Sequence, residues 1–109
     1  MENYQTALDS RFHALADPTR RAVVQRLGKG AATVSELAMP FDMALPSFMK
    51  HISVLEAAGL IASKKIGRVR TCRLRSEKLA AVEKWLGDQR AIWESRYNNL
   101  DSLLAETKG

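Results

Sequence analysis

Thr33 and Glu36 open a short helix that Pro40 must end, and only four or five residues later Leu45-Pro46 opens another that Gly59 stops. The first start is a capping box, in which the Thr hydroxyl and the Glu carboxylate each take up an amide the helix leaves unpaired. A residue before proline avoids helical backbone, and glycine accepts the left-handed conformation at a helix end. Two helices joined by so short a turn form a helix-turn-helix, around which the remaining chain must be arranged.

The flanking segments follow from the same chemistry. Tyr4, Leu8, Phe12 and Leu15 recur at helical spacing and predict a first helix over residues 3–15. Asp17-Pro18 starts a second, since Asp accepts from unpaired amides and Pro at the first helical position gives up no needed N–H. Val23, Val24 and Leu27 face inward there, and Gly28 and Gly30 end it. In the helix from Leu45 to Ala58, Phe48, Ile52 and Leu55 share one face. Leu60 to Ile66 and Val69 to Leu74 flank Gly67-Arg68, which predicts a hairpin. From Ser76 onward Leu79, Val82, Leu86, Trp93, Tyr97, Leu100 and Leu104 return to helical spacing, and Gly87 either kinks or splits that segment. The fold class is therefore mainly α with a small β-hairpin. At 109 residues and 46% apolar content the chain has enough for one core and too little for two.

The net charge of +5 conceals an uneven distribution. Residues 1–43 hold five Lys or Arg and five Asp or Glu, residues 44–75 hold seven and one, and residues 76–109 hold five and six. All the excess lies on the second helix of the helix-turn-helix and the hairpin after it. Such clustering is the footprint of a polyanion-binding surface, and double-stranded DNA is the partner it implies; a solvated basic face is the bland alternative.

Other classes find little support. The single cysteine, Cys72, allows no internal disulfide, as in a reducing cytosol. No run of 18 or more apolar residues could span a membrane, and no secretory leader is read, so the expected location is cytoplasmic. Neither a Gly-rich phosphate loop nor a nucleophile with an evident base is found, so no catalytic residue is assigned.

Helix, helix, helix-turn-helix, basic hairpin and closing helix is the order of a winged helix. The runs FHALADPTRRAVVQRL at 12–27, TVSELAMPF at 33–41, LPSFMKHISVLEAAGLI at 45–61 and IWESRYNNLDSLL at 92–104 resemble the ArsR-type transcriptional repressors. The resemblance spans almost the whole chain and implies a homodimer that binds operator DNA and represses transcription. On this reading residues 33–58 are the helix-turn-helix, 60–75 the wing, and 1–15 with 76–107 the dimerisation helices, all in one domain of residues 1–109.

In a helix-turn-helix the second helix enters the major groove with its N-terminal turn nearest the bases. With Phe48, Ile52 and Leu55 turned inward, Pro46, Ser47, Lys50, His51 and Val54 face outward, with Met49 and Ser53 at the margin. Ser47 and Lys50 have the reach and donors for base edges or phosphates. His51 either joins them or packs beside the core. Lys64, Lys65, Arg68 and Arg70 are the expected wing contacts to phosphates or the minor groove, although lysines on a short strand also serve to block edge-to-edge aggregation. Tyr4, Leu8, Phe12, Trp93, Tyr97, Leu100 and Leu104 exceed what one winged helix can cover and are assigned to a two-fold interface; Trp85 and Leu86 fit either that interface or the core. Two-fold pairing puts the reading helices about 34 Å apart and implies a near-palindromic operator.

Two departures from the family pattern stand out. Metal-sensing members commonly carry paired cysteines on the third helix, where this chain has Ser35-Glu36-Leu37-Ala38-Met39. With one cysteine and with His13 and His51 on different helices, no metal or other cofactor is expected. Ala44 stands where members often have a Ser or Thr that caps the reading helix. The inducing signal is open between a small molecule, a partner protein and none. The rival reading is a winged-helix interaction module whose hairpin binds an acidic protein.

Overall fold

The computed structural model describes residues 4–107. The elements run α1 (Tyr4–Leu15), α2 (Pro18–Leu27), β1 (Ala32–Thr33), α3 (Val34–Ala38), α4 (Leu45–Ala57), β2 (Ile61–Ile66), β3 (Val69–Leu74) and α5 (Ser76–Thr107). They fall into two compact units divided after Leu79. The first is a helical cluster backed by a three-stranded antiparallel sheet of order β1-β3-β2. The second is the remainder of α5, an unbroken helix through Gly87. A Cβ at Gly87 would meet nothing within 4 Å, so no close packing requires glycine there. No described helix is long and apolar enough to cross a membrane.

Capping positions the reading unit. Asp17 accepts from the Arg20 amide at the start of α2, and Thr33 and Glu36 form the reciprocal capping box of α3. At the end of α4, Gly59 adopts φ 76° while Leu60 N–H donates to Leu55 O at 3.1 Å and Gly59 N–H to Glu56 O at 2.9 Å. This paired bonding turns the chain sharply from the helix into β2. Gly67 repeats the device in the hairpin, where φ 63° at the first central position matches the twist of the flanking strands.

Phe48, Ile52 and Leu55 on α4 are essentially sealed from solvent, together with Val23, Leu27, Leu37, Leu60, Ile61 and Cys72. Each large side chain removed from water stabilises the fold by about 1.5–3 kcal/mol, so α4 is anchored by its inner face and free on its outer one. The Phe41 and Phe48 rings lie 5.7 Å apart at 32°, which fastens the turn between α3 and α4 to the reading helix.

Strand β1 was not anticipated from the sequence. Its two residues pair Ala32 with Cys72 and Thr33 with Thr71, too short a run for alternation to register. Thr33 therefore serves both as a sheet residue and as the cap of α3.

The start of α4 is under-provided. Ala44 occupies the cap position with extended backbone and makes no side-chain capping bond. A hydroxyl there is worth about 1 kcal/mol. Ala44→Ser is expected to raise the melting temperature by several degrees in thermal denaturation and to tighten duplex binding. Unchanged values for both would show that those amides are satisfied another way.

Candidate nucleic-acid interface

Side-chain direction on α4 follows from helical geometry once Phe48, Ile52 and Leu55 are buried. Pro46, Ser47, Lys50 and Ser53 are exposed, while Met49 is half-buried on the flank facing the wing. Between that flank and the hairpin runs a groove lined by Thr33, Val34, Ser35, Leu45, Met49, Lys65, Arg68, Val69 and Arg70. None of these side chains is acidic and three are cationic, so the groove presents a one-signed surface beside the exposed face of the reading helix.

The ladder register divides the wing's charges. Lys65 lies opposite Arg70, Ser63 opposite Cys72 and Ile61 opposite Leu74, and these pairs share the sheet face that carries buried Ile61 and Cys72. Lys64 lies opposite Thr71 and Ala62 opposite Arg73. Those four residues, with Ala31, Ile66 and the intervening Ser63, line a hollow on the other side. The structure thus gathers Met49, Lys65, Arg68 and Arg70 and turns Lys64 away from them. The wing's charges therefore lie on two faces, separated by the two-residue period of the strand.

His51 is also turned aside. Its side chain is 22% exposed, with Nδ1 3.1 Å from Arg20 Nη1 and 3.7 Å from Asp17 Oδ2. Arg20 Nε also donates to Ala14 O at 2.7 Å and Nη2 to His13 O at 3.1 Å. One guanidinium therefore closes the end of α1 and steadies α4. Arg21 Nη1 donates to Leu15 O at 2.9 Å, another structural role. The Arg20 amide, with lesser help from the His51 and Arg20 charges, holds the Asp17 carboxyl below its ordinary range.

Other supports carry little sequence signal. Arg11 is buried on the apolar face of α1, and its Nε donates to Ala58 O at 3.3 Å. A cation there suits the negative end of the α4 dipole. Its only hint was its position three residues after Leu8. Cys72 is fully buried, and desolvation foremost pushes its thiol pKa up. Among the described residues no three His, Cys, Asp or Glu side chains come together as a metal site.

The residues assigned to pairing are placed unevenly. Tyr4, Trp93, Tyr97, Leu100 and Leu104 are exposed and Phe12 is half-buried. Leu8 is already buried with Ala7, Arg11 and Ala14, so it is withdrawn from any surface that a second copy meets. Leu86 is exposed and Trp85 half-buried.

Helices α3 and α4, the basic hairpin behind them and the sheet completed by β1 define a winged helix-turn-helix. Residues 15–64 match the helix-turn-helix domain family. HTH-type transcriptional regulator Rv2034 of Mycobacterium tuberculosis is 38% identical over 82 residues, covering 75% of this chain and 76% of the relative. Transcriptional repressor SdpR of Bacillus subtilis is 29% identical over 75 residues, 69% of this chain and 83% of that one. The crystal structure of the ArsR family transcriptional regulator RHA00566 superposes with TM-score 0.82 at 61% identity, covering 87% of this chain and 98% of its own. The homodimeric winged helix-turn-helix DNA-binding domain Mb0332 of Mycobacterium bovis shares the fold at TM-score 0.62 and 18% identity, over 87% of this chain and 85% of its own. The chain belongs to the ArsR family of transcriptional regulators.

Proposed function

We propose that this protein is a homodimeric, cytoplasmic repressor that binds a near-palindromic operator, with α4 in the major groove and the wing on phosphates or in the minor groove. The observation that carries this reading is the cationic groove between Met49 on α4 and Lys65, Arg68 and Arg70 on the wing. It adjoins the exposed Ser47 and Lys50, and short polar groups on an open helical turn suit base edges, whereas a module whose hairpin binds an acidic protein has no need of them there. SdpR is a repressor and Mb0332 a homodimer, which supports the corresponding parts of the proposal.

The roles divide by chemistry. Lys50 reads guanine O6 or N7, with Pro46, Ser47 and Ser53 beside it, whereas Lys65, Arg68 and Arg70 fix the register through phosphates. Selection from a random duplex pool is expected to show Lys50→Ala changing the preferred sequence and Arg68→Ala weakening all sequences alike. The reverse assignment in that selection would contradict the division.

A further inference from the structure

Glu56 is the one acid between Ala44 and Arg75, and it lies near the end of α4, where a negative charge opposes the helix dipole. Its placement has a visible counterpart. Glu56 Oε1 accepts from Ser63 Oγ on β2, and Ser63 Oγ in turn accepts from Arg70 Nη1 on β3 at 2.8 Å. All three residues are partly buried. The charges of both ends reach neighbouring Cys72, whose thiol pKa is raised by burial and then by Glu56 and lowered by Arg70.

We propose that Ser63 is a positioning residue, linking Glu56 on the reading helix to Arg70 on the wing so that the Arg70 guanidinium is held in the groove for a DNA phosphate. Arg70 lies directly across the ladder from Lys65, and like charges so placed repel. Left to itself the long Arg70 side chain swings away from Lys65 into solvent. The hydroxyl bridge counters this using one guanidinium nitrogen, leaving Nη2 and Nε for a phosphate. Because Glu56 belongs to α4 and Arg70 to the wing, the same bridge ties the phosphate contact to the pitch of the reading helix. This role rests on the DNA-binding reading above.

A double-variant cycle tests it, with a random-sequence duplex pool at low salt as the probe. Ser63→Ala is expected to weaken binding by about tenfold, the scale of a hydrogen bond to a charged group. In the Arg70→Ala background the same change is expected to shift affinity less than about twofold, because its effect passes through Arg70. Ser63→Thr keeps the hydroxyl and is expected to restore most of the affinity. Equal weakening by Ser63→Ala in both backgrounds, or none in either, overturns the relay while leaving the DNA-binding reading intact. Absence of duplex binding by the unaltered protein overturns both.

Discussion

Replacing Trp93 and Tyr97 together by glutamate is expected to leave the winged unit folded, abolish pairing and weaken operator binding by roughly 10²- to 10⁴-fold, the range over which two linked sites exceed one. Trp93 and Tyr97 are 75% and 67% exposed and lie one helical turn apart on α5. Leu100 and Leu104 continue the exposed apolar surface of the helix. Monomers rarely leave large apolar patches to water, and a second copy of the same helix supplies a matching one through two-fold symmetry. Carboxylates at both positions place four charges in that contact, two from each copy, where desolvation and mutual repulsion oppose association. Light scattering gives the mass, and titration with the selected operator gives the affinity. A variant that stays dimeric shows that pairing uses another surface. A monomer that binds as tightly as the parent shows that pairing does not matter for the operator.

Much of the winged unit was legible because its boundaries are written in local chemistry. Asp17-Pro18, Thr33 with Glu36, and Gly59 each meet a specific backbone need, and each ends or begins an element in the structure. The inner face of α4 followed from the spacing of Phe48, Ile52 and Leu55. Contacts between segments distant in sequence were not legible. The Arg20–His51 bond joins residues 31 apart and that of Arg11 to Ala58 residues 47 apart, and nothing near either arginine marks its partner. Lys64 was readable in principle, since two-residue alternation puts it on the opposite face from Lys65, but the charge count outweighed the period. Glycine in mid-helix suggests a kink or split at Gly87, yet α5 runs through it, because one glycine costs only about 1 kcal/mol against alanine. Leu8 fitted an apolar stripe at the right spacing, and spacing alone does not distinguish burial within one chain from burial between two.

The central claim, that the groove between α4 and the wing grips the phosphate backbone, carries a large electrostatic consequence. Each phosphate neutralised by a Lys or Arg releases condensed counterions, and the affinity then falls with salt in proportion to the number of contacts. A dimer using Lys65, Arg68 and Arg70 from each copy neutralises about six phosphates, and roughly 10 where other cations of residues 44–75 also reach the backbone. Such a complex loses about 10³- to 10⁵-fold in affinity between 50 mM and 200 mM salt, a larger change than most single substitutions produce. The deciding measurement is a titration of the unaltered protein with duplex DNA across that salt range. A log–log slope of about −5 to −9 is expected; a slope near zero would contradict a phosphate-gripping groove.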